Sequence, residues 1–389
     1  MFFFGRIDLR FFPESDSTAI LKCNRQNWLS MTYTIQEAAG TLFNAAEVPE
    51  QLIEPLKGYV QVITTSPKNS VKYYTEEEHS EIPGWKLLRT VRIVPKYGET
   101  FSLAIFNRIW KLVDRRAPIC FAVDDFVCQR YGKKAYRCNY FYSNAHGGIV
   151  WGNALVDTTL RNGNLVCPVT FEIHQKKGPL KLWERGLAQI QQLVMKCLEQ
   201  QIDPNRIWTL GDCVYGNVAM EYALRNLGVF YLLGLPKNRQ VELFGRKQSL
   251  AQYFTSHPDR SLTVAGQVYR YKLSTANLNG WGRRRLLAFY GPGNRWRYYA
   301  CNKLDATAKT LLLRRRDRWT VEDTHRSLKN YHGAEHFHVW KKPAVLGHFQ
   351  LAYLSCALTS LERTNRRKKG EYCTQEMLHR EAIRWSRQN

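Results

Sequence analysis

Two short apolar runs, each stopping at an acid, constrain the fold of this chain more than any other feature of its sequence. Residues 117–123 (Ala-Pro-Ile-Cys-Phe-Ala-Val) run straight into Asp124 and Asp125, and residues 206–211 (Arg-Ile-Trp-Thr-Leu-Gly) run into Asp212. Runs this short and this apolar read as strands covered on both faces, the pattern of a parallel sheet, each delivering its acid at the C-terminal tip. Residues 139–142 and 148–156 supply two further strands around a turn at 144–147. Before the second acid-tipped strand, residues 182–199 place Leu182, Leu187, Ile190, Leu193, Val194 and Cys197 at helical spacing. The order strand, strand, strand, helix, strand predicts a mixed α/β core.

The rest of the chain frames that core. Residues 1–115 combine helical spacing over 35–46 with strand-like runs at 58–63 and 87–94, and are expected to form an N-terminal α+β module, a possible place for DNA binding. The first part of the core is expected over 116–235, with a helix at 214–227 and a strand at 229–235. A β-rich stretch with Gly and Asn turns follows over 236–302. Helical patterns return at 304–329 and 346–361, within a second core part at 303–362. Residues 363–389, opening with Arg363, Arg366, Arg367, Lys368 and Lys369, are expected to be a mobile basic tail.

The longest apolar runs, such as 227–235, fall short of the ~18 to 20 residues that cross a bilayer. The opening Met-Phe-Phe-Phe-Gly-Arg lacks the layout of a signal peptide. Neither a membrane partner nor secretion is expected. The ten cysteines are scattered without a Cys-x-x-Cys pair, which points to reduced core thiols rather than a zinc ribbon or a disulfide framework.

With 57 Lys and Arg against 33 Asp and Glu, the formal net charge is +24. Such an excess repels itself unless a polyanion neutralises it, so nucleic acid is the leading partner. Taken singly, Asp124, Asp125 and Asp212 are ordinary strand-end acids, since Asp favours turns. Residues 318–329 (Arg-Trp-Thr-Val-Glu-Asp-Thr-His-Arg-Ser-Leu-Lys) add Arg318, Glu322 and Lys329 on a predicted helix. At ~100° per residue these three fall within about 40° of one another, on one face. Alone they would be a salt-bridged helix surface. Together, acids from three separate elements in a strongly basic chain suggest an anionic pocket. Convergent carboxylates repel unless divalent cations sit between them, and open oxygen ligands suit Mg²⁺ or Mn²⁺. Two such ions would bind the attacking and leaving oxygens of a phosphodiester displacement.

The pattern resembles the bacterial insertion-sequence DDE transposases that carry a Tyr-(2)-Arg-(3)-Glu-(6)-Lys signature. The resemblance rests on Asp124-Asp125, on Gly211-Asp212-Cys-Val-Tyr-Gly-Asn217 with the apolar run 229–233 after it, and on Arg318-Trp-Thr-Val-Glu322 with Lys329. It covers roughly residues 121–361. It implies a ribonuclease-H-like mixed sheet flanked by helices and interrupted, between the second Asp and the Glu, by a β-rich insertion domain. It implies Asp125, Asp212 and Glu322 as catalytic residues holding two Mg²⁺ or Mn²⁺ ions, with Arg318 and Lys329 on phosphates. The implied activity is cleavage at terminal inverted repeats and strand transfer into target DNA, by a homodimer on paired ends, in a prokaryotic cytoplasm at the nucleoid. Arg315 stands at the signature's Tyr position; it can bind phosphate bidentately but lacks a phenol's chemistry. Phe126 stands where many relatives carry a hydroxyl residue.

The β-rich stretch interleaves Arg with aromatics, in Trp281-Gly-Arg-Arg-Arg285 and in Arg295-Trp296-Arg297-Tyr298-Tyr299. Arg supplies phosphate contacts, and an aromatic face stacks on an unpaired base for ~1 to 3 kcal/mol. By the resemblance, Trp296 is the first choice to receive a flipped base and Trp281 the second; packing of a small β domain explains both equally well. His336-Phe-His338, beside His332, reads as surface or packing ahead of a metal pair, and Cys213 has no evident His partner. The sequence has no Gly-x-x-x-x-Gly-Lys-Ser/Thr loop, so no nucleotide cofactor is expected. Two rivals stand beside this reading: an inactive, DNA-binding descendant of such an enzyme, and a basic RNA-binding or structural nucleoid protein whose acids are surface charge.

Overall fold

The computed structural model of the chain describes residues 35–65, 82–132, 134–243, 245–291, 295–335, 339–370 and 372–386. One sheet runs through these residues. Its strands are β1 (Ile119–Gln129), β2 (Asn139–Ser143), β3 (Gly148–Asn162), β4 (Leu165–His174), β5 (Ile207–Gly211), β6 (Phe230–Leu235), β7 (Gln240–Leu243), β8 (Arg246–Ser249), β9 (Arg260–Val264), β10 (Gln267–Leu278), β11 (Gly282–Gly291) and β12 (Arg295–Cys301). They line up as β2-β3-β1-β5-β6-β12-β11-β10-β7-β8, with β4 added on β3 and β9 on β10. The β1–β5 and β5–β6 pairs are parallel and the rest antiparallel. The β-rich stretch after Leu235 therefore extends the core sheet through β12, which pairs with β6.

The helices are α1 (Ile35–Ala45), α2 (Glu50–Thr65), α3 (Gly84–Val91), α4 (Gly98–Leu112), α5 (Leu182–Glu199), α6 (Val218–Asn226), α7 (Leu250–Thr255), α8 (Ala308–Arg318), α9 (Thr320–Tyr331), α10 (Lys342–Lys368) and α11 (Gln375–Ser386). Strand alternation divides β1 between two cores. Ile119, Phe121 and Val123 enter the larger one, while Cys120 and Ala122 meet Leu311 and Leu312 of α8 in the other. On the Val123 side α5 comes close: a side chain at Gly186 would press against Val123 and Tyr215.

Several expectations need correction. The runs 58–63 and 87–94 are helical, lying in α2 and in α3 with the 3₁₀ turn Val94–Tyr97. Leu56, Tyr59, Val60 and Ile63 are all buried, a spacing that makes one helix face, so the apolar run is a helix stripe rather than a strand. The described part of the N-terminal region is thus helical, not α+β. It shares a core with α10, where Tyr59 Oη lies 2.8 Å from His348 Nδ1 in a buried pair. The helix expected at 304–329 is two, α8 and α9, and β4 was missed. The basic tail is helical where described: α10 carries Arg363, Arg366 and Arg367 to Lys368, and α11 follows. By length and composition α10 alone among the described helices is apolar enough to cross a bilayer, yet 89% of its apolar window is buried inside the protein, as in a core helix. The opening residues, Cys23 and the His336–His338 motif lie outside the described residues.

Candidate active site

The site is assembled where the parallel ladder between β1 and β5 runs out. Its last pair is Val123 with Gly211, so Asp124 and Asp212 occupy the next positions of neighbouring strands. Only β5 ends there. Against expectation, β1 continues to Gln129, because β3 supplies an antiparallel partner as far as the Gln129–Gly152 pair. Asp212 is fixed by a turn in which its Oδ1 accepts from the Val214 amide at 2.8 Å. Asn217 then caps α6, its Oδ1 accepting from the Met220 amide at 2.9 Å. Two glycines let this turn lie on β6: a Cβ on Gly216 would collide with the Gly234 carbonyl, and one on Gly234 would come within 2.9 Å of the Asp212 backbone.

The third acid arrives on α9. Asp317, just before it, takes Arg161 of β3 and Arg314 at 2.8 Å each, which pins the α8–α9 junction to the sheet. Arg318 then reaches in both directions, with Nη1 3.0 Å from Asp124 Oδ2 and Nη2 2.5 Å from Glu322 Oε1. A strand acid and a helix acid, separated by nearly two hundred residues in the chain, are thereby joined through one guanidinium. By alternation along β1, Asp125 lies on the opposite face, that of Val123 and α5. Beneath Asp124, the fully buried Asp157 faces it across the β1–β3 ladder and holds His325 Nε2 at 2.6 Å. The His325 ring stacks on Phe126 with centroids 4.1 Å apart.

The electrostatics reflect burial first and crowding of like charge second. Burial pushes the Asp125 carboxyl up to about 7, with Asp124 and Asp212 adding to the rise. Burial also raises Asp124; Asp212 adds to this and the Arg318 guanidinium opposes it. Burial works against the charged forms of Arg318 and His325, but the surrounding anionic partners together outweigh it, Asp124 leading for the first and Asp157 for the second, so both stay more basic than usual.

This donor set has the chemistry for a hard divalent cation: half-buried carboxylate oxygens whose charge is incompletely balanced. Among the described residues, however, no three acidic, His or Cys side chains already stand in a metal-holding group, and Arg318 fills the space between Asp124 and Glu322. The residues fit such an ion once Arg318 gives way.

The other sequence candidates are scattered around this centre. Lys329 donates to the Val127 carbonyl and pairs with Glu335, each at 2.7 Å. Arg315 lies over the rings of Phe289 and Trp319. Arg295 and Arg297 are exposed on β12, flanking a half-buried Trp296 whose ring is approached by Arg270 and Lys272. Trp281 is only 3% exposed and edge-on to Tyr231, a core residue with no room for a base. His332 is buried against Ser355, which pushes its pKa down to about 3. Sequence reasoning missed Asp157 and His325. Their signals were an acid inside the apolar run 154–160 and a His one turn beyond Glu322.

Fold and site together define a mixed α/β protein that gathers acids from a strand, a turn and a helix beside one sheet. Residues 186–358 match the family model described as the transposase DDE domain, and the match supports a DDE transposase. The matched segment holds Asp212, Arg318, Glu322 and Lys329; Asp124 and Asp125 precede it. No curated protein matches the chain. A solved structure, the NurA nuclease from Sulfolobus solfataricus, aligns at 12% identity over 56% of this chain and 84% of that one, with a TM-score of 0.24. A likeness that slight says nothing about chemistry.

Proposed function

We propose that the chain is a DDE transposase that cuts DNA at the inverted repeats ending its element and joins the freed ends to target DNA, acting as a homodimer on paired ends. The observation that carries this reading is the Arg318 bridge, which ties an acid of β1 to the acid of α9 beside the turn bearing Asp212. The strand order β4-β3-β1-β5-β6, antiparallel in its first two steps and parallel in its last two, supports a ribonuclease-H-like core. The residues between Asp212 and Glu322 then carry the β-rich insertion.

Of the strand pair, Asp124 shares a face with Glu322, so it takes the first catalytic place ahead of Asp125. Asp124, Asp212 and Glu322 would hold two Mg²⁺ or Mn²⁺ ions, which when bound supply Lewis-acid activation of the attacking oxygen and of the scissile phosphate. Arg318 and Lys329 exchange their carboxylate partners for phosphates of the bound end, and Arg315, Arg295 and Arg297 line its approach, while Trp296 packs on the other side of β12 with Tyr298.

Nicking and joining of a supercoiled plasmid bearing the repeats that flank the gene, with Mg²⁺ or Mn²⁺, tests the reading. Glu322→Gln and Asp124→Asn are each expected to lower the rate ~100-fold or more. Full activity in Glu322→Gln would overturn it. An inactive Asp125→Asn beside an active Asp124→Asn would move the first place to Asp125.

A further inference from the structure

Along β1, five positions past Asp124 and so ~17 Å away, the β2–β3 hairpin presents an open aromatic face. Tyr140 and Tyr142 pair across the ladder with Trp151 and Ile149, so the four side chains share one side of the ribbon. Tyr140, Tyr142 and Ile149 are 58%, 66% and 72% exposed, and Tyr140 meets Trp151 edge-on at 5.1 Å. Before Gly152 the ladder partner of β3 is β2 alone, so the ribbon extends past the sheet. Nothing in the packing of the core calls for large aromatic rings at such a place.

The chain segments around the ribbon are rich in basic residues, with Glu335 near its root beside His146. Residues 126–132 and 134–156 carry Arg130, Lys134 and Arg137 and no acid; residues 173–183 carry Lys176, Lys177 and Lys181 and no acid; residues 339–361 carry Lys341 and Lys342 and no acid. These segments meet here. Lys176 Nζ donates to the Tyr140 carbonyl at 2.6 Å, Arg137 to the Ile173 carbonyl at 2.9 Å, and the Tyr136 amide to the Trp340 carbonyl at 2.9 Å. Most acids that end these segments are held: Glu172 by Arg185, Asp157 by His325, Glu362 by Arg366 and Glu184 on the Lys181 amide, while Glu335 holds Lys329 until a phosphate takes its place.

We propose that this ribbon, with the basic loops beside it, binds a single-stranded segment of the DNA on which the acidic pocket acts. The inference rests on the transposase reading. Open rings offer stacking surfaces to unpaired bases, which a duplex keeps hidden, and the lysines offer phosphate contacts along the same strand. The absence of acids on the sequence segments around the ribbon suits a polyanion better than a basic protein.

Fluorescence anisotropy on the full chain in EDTA, with a short oligo-dT and a blunt duplex of equal length as probes, tests this. Tyr140→Ala/Tyr142→Ala, matched to wild type by its melting curve, is expected to bind oligo-dT ~10-fold or more weakly while duplex affinity changes less than ~2-fold. Lys176→Gln/Lys177→Gln should weaken both probes and flatten the salt dependence. Unchanged oligo-dT affinity in the tyrosine variant overturns the proposal, as does a wild type that binds only duplex. A tyrosine variant that instead turns a dimer into monomers in light scattering makes the ribbon a protein interface. Folded wild type that binds neither probe contradicts the transposase reading itself.

Discussion

Arg318 bridges Asp124 and Glu322 where a metal ion is expected to do so, and it leaves Asp125 buried beside the charges of Asp124 and Asp212. The consequence for a metal-free protein has a definite sign. The Asp125 carboxyl sits near 7 when folded, against about 4 for an ordinary Asp, so between those values the folded state keeps a proton that the unfolded chain releases. The stability this contributes is fully present below about pH 4 and is lost as pH rises through about 7. His325, held charged by Asp157 above the usual histidine range, adds a loss of the same sign. In EDTA, Tm is expected to fall by several degrees from about pH 5 to about pH 8, and Asp125→Asn to flatten the fall. Scanning fluorimetry reads both, and a Tm that climbs across that window contradicts a buried, proton-holding Asp125.

At the scale of elements, the turn after β5 offers a cleaner test than any acid. Gly216→Ala drives a methyl group against the Gly234 carbonyl, so β6 and the Asp212 turn must part. Plasmid nicking should drop ~10-fold or more while far-UV circular dichroism keeps its shape; wild-type rates would mean that the turn tolerates the shift. The sequence made such elements legible where one chain segment carries its own evidence. The helical stripe of α5, the apolar run of β5 and the Arg318–Glu322 spacing were all readable, and the i,i+4 pair does form an ion pair. It misled where a distant partner decides. The end of β1 was misread because β3 sustains the strand past its acids, and the α2 stripe was misread because its period begins at Leu56, before the β-branched run. The contacts that build the pocket link residues 194 and 168 positions apart, Arg318 to Asp124 and His325 to Asp157, and no local spacing encodes those. Asp124 and Asp125 are neighbours in sequence, and only the facing direction of the strand separates their roles.

Across the whole molecule, the two proposed DNA contacts lie on one face of a single sheet, with the acids near its middle and the aromatic ribbon at its β2 edge. The opposite half of that sheet hangs on β12, whose residues Tyr298 to Cys301 pair with Leu235 back to Leu232 of β6. Excising residues 236–302 would strip β6 of this partner and remove Leu287, Phe289 and Tyr299 from the core under α8. The shortened chain is expected to self-associate through bare amides in static light scattering; a monodisperse, folded product would show that β6 does not need its neighbour. If that holds, the segment has become a supporting wall, and a lineage that loses it must first grow another strand in its place.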